Sequence, residues 1–157
     1  GSVVPLFMEQ IKNGGPVTIT MPEMTRFLLS LDRAVDTVFT AVRSANAGEL
    51  YVPQVAAAKV IDVARTLMNG QNVPIVFTGV RPGEKVHEIM VSEEERFRTV
   101  ERDGHYVILP VLPELRPQEE IVPALEHEYS SEFNHVSPEQ LRKLLQTASE
   151  EIRSFTP

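Results

Sequence analysis

The 157-residue sequence contains no cysteine, so neither a disulfide framework nor a thiolate metal site can form, and a reducing compartment fits. No apolar run approaches the ~20 residues of a membrane span, and the N-terminus lacks the charged-then-apolar pattern of a secretory signal. Basic residues are outnumbered: 15 Lys and Arg stand against 22 Asp and Glu, a formal net charge of −7. That balance argues against a nucleic-acid backbone as the main partner, while leaving room for a local anion site. Repeats and low-complexity tracts are absent too. These absences point to a cytoplasmic chain with no membrane and no nucleic-acid partner. What is present is a 42% hydrophobic fraction with mixed charges, the composition of a soluble globular protein. The length suits one domain with a core and is too short for two independent ones.

The order of elements is that of an α/β chain. "VVPLFMEQIKNGG" places Leu6, Phe7 and Ile11 on one helical face and stops at Asn13-Gly14-Gly15. "PVTIT" reads as a short β-branched strand closed by Met21-Pro22. In "SLDRAVDTVFTAVRSANAG" the residues Leu31, Val35, Val38 and Val42 form an apolar stripe, Ser30 or Asp32 can cap it, and Gly48 ends it. "ELYVP" is a strand, and "AAAKVIDVARTLMNG" a helix with Val60, Val63, Ala64 and Leu67 inward and Asn69-Gly70 as its stop. "VPIVFTG" lacks alternation, as a strand covered on both faces does. Strand, helix and strand in about thirty residues predict a βαβ unit, with the two strands parallel. "HYVILPV" is a strand, and "PELRPQEEIVPALEHE" is a proline-broken surface stretch. The terminal helix, 137–155, opens on a capping box of Ser137 and Gln140 with Pro138 between them, and turns Leu141, Leu144, Leu145 and Ile152 inward.

Chemistry concentrates in "GVRPGEKVHEIM". Ligands of open α/β sheets lie outside the carboxyl ends of parallel strands, and Arg81-Pro82-Gly83-Glu84 follows such an end. Arg81 offers a planar fork suited to phosphate oxygens. Pro82 and Gly83 force a turn, and the Glu84 carboxylate fits paired ribose hydroxyls. Arg26 in "MTRF" is a second cation that could converge on the same diphosphate. The plainer alternative is a surface ion pair with Glu84 as a helix N-terminal acid. Lys85 and His87 lie near enough to touch a ligand, with helix-surface positions as their default. His87, His105, His127 and His135 lack metal-ligand spacing and are expected at the surface. Glu93, Glu94 and Glu95 read as a solvated first turn capped by Ser92.

"GSVVPLF", "VTIT-MPEMTRF", "SLDRAVD", "GELYVP" and "GVRPGEKVHEIMVSEEE", in this order, resemble the polysaccharide-biosynthesis branch of the extended short-chain dehydrogenase/reductases. The likeness is to 5-inverting UDP-N-acetylglucosamine 4,6-dehydratases and related capsule-synthesis 4-epimerases. It covers residues 1 to about 95, with a weaker echo in "EYSSEFN" and the last helix. The resemblance implies a partial Rossmann-type extended fold, with residues 1–157 as its nucleotide-sugar-binding C-terminal portion. It further implies that Val3, Val4 and Pro5 line the nucleotide side and that the backbone at Thr18 and Thr20 meets a uracil edge. Arg26 and Arg81 would bind the diphosphate and Glu84 the ribose hydroxyls. Thr18 and Thr20 also suit ordinary strand positions.

Two hallmarks of that branch are missing. No Gly-x-x-Gly-x-x-Gly is present to cradle a dinucleotide pyrophosphate. None of Tyr51, Tyr106 and Tyr129 has a lysine four residues on to lower its phenol pKa. No catalytic residue, cofactor site or metal site is therefore expected in this chain, and alone it should be inactive. NADP or NAD would sit in a missing N-terminal domain of the parent enzyme. Gly1-Ser2 resembles a tag-removal scar and "VVPLF" starts without cap chemistry, so a fragment is expected, with a UDP-sugar, the cofactor domain and a further copy of itself as partners. The rival expectation is a non-catalytic, acidic α/β protein-interaction module.

Overall fold

The computed structural model describes residues 3–116 and 120–154, with the side chains of 148–154 outside the description. Helix α1 (Val3–Lys12) buries Val4 and Phe7, and Ile11 packs against the same core. Spacing of three and four residues puts these on one stripe. Leu6, expected with them, is exposed because it lies about 100° round the helix from Phe7. The helix closes as Gly14 and Gly15 donate their N–H groups to the Ile11 and Gln10 carbonyls at 3.0 and 2.7 Å. Gly15 has φ +83°, and a Cβ there would stand 2.5 Å from Val73 Cγ1, so glycine is required twice over.

Strand β1 (Val17–Ile19) and strand β2 (Thr25–Leu28) precede helix α2 (Leu31–Ser44), which Ser30 caps by accepting from the Arg33 N–H. Strands β3 (Leu50–Pro53) and β4 (Ala56–Lys59) lead into helix α3 (Val60–Met68) and strand β5 (Ile75–Phe77). Strands β6 (Ile89–Val91), β7 (Thr99–Arg102), β8 (His105–Ile108) and β9 (Tyr129–Ser130) lead to helix α4 (Pro138–Ser154).

These strands form an α/β arrangement of four small sheets among the described residues: β1 with β5, β2 with β4, β3-β8-β7 and β6 with β9. Among the named strands only β1 and β5 pair in parallel, with Thr18 opposite Val76. A parallel pair bridged by helices is thus present, but its first strand is β1. The expected pairing of "ELYVP" with "VPIVFTG" is replaced, since β3 runs antiparallel to β8. Nor is β5 covered on both faces: Val76 and Phe77 are about half exposed. Alanines 56–58, read as helix, pair with β2 instead. Ladder hydrogen bonds and burial outweigh the few tenths of a kcal/mol per residue of helix propensity. Helix α2 ends at Ala45, earlier than expected, and Gly48 turns the chain beyond it against Pro110.

Two cores result. Val4, Phe7, Val17, Ile19, Val63 and Leu141 represent the larger, onto which α4 docks through Leu141 and Leu145. The capping box at its start is formed as expected: the Gln140 N–H donates to Ser137 Oγ at 3.2 Å and the Ser137 N–H to Gln140 Oε1 at 3.0 Å. Leu144 is exposed rather than inward, and the Ile152 side chain lies outside the described residues. The second core joins Val52, Val91 and Ile108 to an aromatic cluster in which the Phe27 and Tyr106 rings each lie 4.9 Å from that of Tyr129. The Tyr129 hydroxyl accepts from the Val55 N–H and donates to the Val55 carbonyl, both at 2.8 Å.

Helix α2 is turned the unusual way round. None of its residues is buried. Thr37 and Arg33 face the β7–β8 hairpin, reaching His105 Nε2 and the Gly104 carbonyl. The apolar stripe faces outward, with Val38 62% and Val42 79% exposed. His105, expected at the surface, is buried instead, with Nδ1 2.9 Å from the Asp103 carbonyl.

Candidate functional site

The parallel ladder continues past the end of β5. The Thr78 and Gly79 N–H groups donate to the carbonyls of Ile19 and Thr20 at 2.9 and 3.1 Å, carrying the chain to the turn at its carboxyl end. There Arg81-Pro82-Gly83-Glu84 forms a β-turn: the Glu84 N–H donates to the Arg81 carbonyl at 3.0 Å, and Gly83 has φ +82°. Proline at the second position and a positive-φ glycine at the third are what a type II turn demands. No helix follows the turn, since the next element is β6. Glu84 is therefore not a helix N-terminal acid, and Lys85 and His87 are not on a helix surface.

The Glu84 carboxylate is anchored at both oxygens. Oε1 accepts from Thr20 Oγ1 at 3.2 Å and Oε2 from the Arg81 N–H at 3.3 Å. Thr20, Arg81 and Glu84 are thus brought together from positions sixty residues apart. Arg81 is exposed, and its guanidinium has no hydrogen-bond or ion-pair partner among the described residues.

Arg26 is differently placed. It lies in β2, where Nη1 donates to the Thr25 and Val86 carbonyls at 2.7 and 3.1 Å and Nη2 to the Lys85 carbonyl at 3.0 Å. Its Nε is 3.6 Å from Glu88 Oε1. Arg26 thereby grips the segment just beyond the turn, with most of its fork already engaged.

The other expected residues are spread along α1 and β1. Val4 belongs to the larger core, Val3 is partly buried beside it, and Pro5 is exposed. The Thr18 N–H donates to Gln10 Oε1 at 3.1 Å while Gln10 Nε2 donates to Thr18 Oγ1 at 2.8 Å. A carboxamide therefore occupies the strand edge where a base edge is expected. Gln10 escaped sequence reasoning. Its signal was a polar side chain three residues after buried Phe7, on the inward side of α1.

Two polar clusters elsewhere have structural partners. Arg102 donates to both Glu49 oxygens at 2.8 and 3.0 Å and to the Tyr51 hydroxyl at 3.1 Å. Burial pushes the Glu49 carboxyl up, but the hydrogen bonds from Arg102 and Asn46 outweigh it and hold that carboxyl below its ordinary range. Burial raises the Tyr106 and Tyr129 phenols, the opposite of what a phenolic base requires. Glu95 closes a capping box with Ser92, its Oε2 accepting from the Ser92 N–H at 3.2 Å.

Residues 1–110 match the family model described as polysaccharide biosynthesis protein. A UDP-glucose 4-epimerase of Rickettsia akari is 36% identical over 94% of this chain and 46% of its own length. The capsular polysaccharide biosynthesis protein CapD of Staphylococcus aureus is 40% identical over 60% of this chain and 17% of its own. The X-ray structure of Pen from Bacillus thuringiensis superposes with a TM-score of 0.82 at 28% identity, covering 95% of this chain and 46% of that one. The chain spans less than half the length of these relatives.

Proposed function

Because the chain belongs to the polysaccharide biosynthesis protein family, we propose that it binds the UDP moiety of a UDP-N-acetylhexosamine, as the substrate-binding part of a 4,6-dehydratase or 4-epimerase. The observation that carries this reading is the type II turn after the parallel pair. It offers an unpartnered guanidinium and, three residues on, a carboxylate held by Thr20. A free planar fork suits diphosphate oxygens, and an ionised carboxylate accepts from vicinal ribose hydroxyls. In this reading Arg26 supports the turn and has one Nη2 N–H left for the ligand. A uracil at β1 would displace or share the Gln10 amide at Thr18. The relative named UDP-glucose 4-epimerase supports UDP as the nucleotide.

No glycine-rich turn is present in this sequence, so its residues do not fit a dinucleotide. NAD or NADP would belong to the part of the relatives that this chain does not span, and that part would have to be present for turnover. The same part is the partner best suited to the outward stripe of α2 and the free edge of β3. Both lie open among the described residues, and each would gain from an added apolar layer and an added strand. That stripe also favours a second reading, an acidic protein-interaction module that binds no nucleotide.

Isothermal titration with UDP, UDP-N-acetylglucosamine and inorganic phosphate separates the two. The expected result is UDP-dependent heat and an affinity weakened about ten- to a hundredfold in Arg81→Ala, matching a charge-assisted pair of ~1.5–3 kcal/mol. Equal UDP affinity in Arg81→Ala, or no heat even with the relatives' other half supplied, would overturn the proposal.

A further inference from the structure

Thr25, His87 and Ser131 come from three distant stretches of sequence and meet at the segment that follows the Arg81–Glu84 turn. Thr25 and Ser131 are 1% and 0% exposed. The Glu88 N–H donates to Ser131 Oγ at 2.9 Å, Ser131 Oγ lies 2.7 Å from Thr25 Oγ1, and Thr25 Oγ1 lies 2.8 Å from His87 Nδ1. The Ser131 N–H donates in turn to the Glu88 carbonyl at 2.8 Å. At the other end of the chain of contacts His87 Nε2 lies 4.0 Å from Glu132 Oε1. Each hydroxyl can donate once, so the two contacts and the bond from the Glu88 N–H can be satisfied together.

The segment between the turn and β6 is therefore held from two sides. On one side β2 grips it: the Thr25 N–H donates to the Val86 carbonyl at 3.0 Å, and Arg26 donates to the carbonyls of Lys85 and Val86. On the other side Ser131 holds both the N–H and the carbonyl of Glu88. The turn itself has little packing of its own, since Arg81, Pro82 and Gly83 are exposed. Thr20 fixes the Glu84 carboxylate, but two exposed residues and a glycine cannot fix where the turn as a whole points; the segment that follows them can.

We propose that Ser131, acting through Thr25 and His87, is a positioning residue that sets the direction in which the Arg81–Glu84 turn presents its guanidinium and carboxylate. This gives the "EYSSEFN" stretch a role: Tyr129 pins Val55, Ser131 pins Glu88, and the Asn134 carbonyl accepts from the Ala57 N–H at 3.0 Å. The inference deepens the UDP reading and depends on it only for the ligand measurement below.

The test compares the wild-type chain with Ser131→Ala and Ser131→Thr by amide hydrogen exchange without ligand, then by UDP titration. In Ser131→Ala, exchange at Glu88 and its neighbours should rise about tenfold or more, as expected for losing about two buried hydrogen bonds. The β3-β8-β7 sheet should keep its protection, and UDP affinity should fall about tenfold. Ser131→Thr keeps the hydroxyl and should restore both. Should Ser131→Ala not fold, Thr25→Val, which keeps shape and loses the hydroxyl, takes its place beside Thr25→Ser. Unchanged protection over residues 85–88, or an equal rise across every sheet, overturns the proposal. A wild-type chain that shows no UDP heat even with the relatives' other half supplied sinks the ligand reading alone, because the exchange comparison still decides whether Ser131 holds the loop.

Discussion

Replacing Val38 and Val42 together by aspartate tests what the outward stripe of α2 is for. Leu31, Val35, Val38, Phe39 and Val42 are between 43% and 79% exposed. Fully burying such a side chain is worth ~1.5–3 kcal/mol, so roughly half of that remains to be gained at each position. The five together then offer about 4–7 kcal/mol on docking. Separate molecules lose an estimated 4–15 kcal/mol of translational and rotational freedom on association, so this stripe alone supports at most weak pairing between copies. A body joined to the same polypeptide avoids most of that loss. The double substitution removes only the smaller part of each valine's full burial, and folding stability should fall by about 1–2 kcal/mol, roughly 2–8 °C in melting temperature. Sedimentation velocity over a concentration series should show the wild-type chain associating weakly at the highest concentrations and the double variant remaining monomeric, with thermal melts only a few degrees apart. A monomeric wild-type chain with a sharp, high-temperature melt would refute the reasoning. So would a variant whose melt collapses, since that would mean the stripe is already packed.

Two further expectations concern stability. Glu49→Gln keeps the shape of a side chain that is 3% exposed but removes the charge facing Arg102, which is 33% exposed. The cost should be about 2 kcal/mol, below the ~3–5 of a fully buried pair. Because the native Glu49 carboxyl is held below its unfolded value near 4.5, the wild-type advantage is complete above that value and fades as pH falls through the native one. Urea unfolding at neutral and acid pH should show the gap between wild type and variant closing, and a gap independent of pH would discredit the charge argument. Gly15→Ala meets both a positive φ and Val73 Cγ1 at 2.5 Å, whereas Gly70→Ala meets the same φ with nothing within 4 Å. The first should cost about 2–3 kcal/mol and the second about 1, and equal melting temperatures would contradict the steric part.

Much of the candidate site was legible because its chemistry is local. A cation, a proline, a glycine and an acid in succession specify a type II turn whatever surrounds them, and the turn is present with Glu84 closing on Arg81. The partners that hold it were not legible. Thr20 reaches Glu84 across 64 positions and Ser131 reaches Thr25 across 106, and no periodicity or spacing in one sequence encodes such meetings. Arg26 shows the same limit from the other side. Its residue type suggested an anion ligand, but the carbonyls of Lys85 and Val86 lie within its reach and take up most of its fork.

The amino-acid order by itself determined the features that close within one turn of chain: the Ser137–Gln140 and Ser92–Glu95 capping boxes, the glycine stop after α1 and the bend at Pro82-Gly83. Each depends on side chains three or four positions apart, whose distances are set by covalent geometry. Tertiary structure alone decided that alanines 56–58 pair with β2, that β5 takes β1 as its parallel neighbour, and that the apolar face of α2 looks outward. An apolar stripe states that something must cover it; only the packing of distant segments, driven by burial and the need to satisfy backbone hydrogen bonds, selects which surface does.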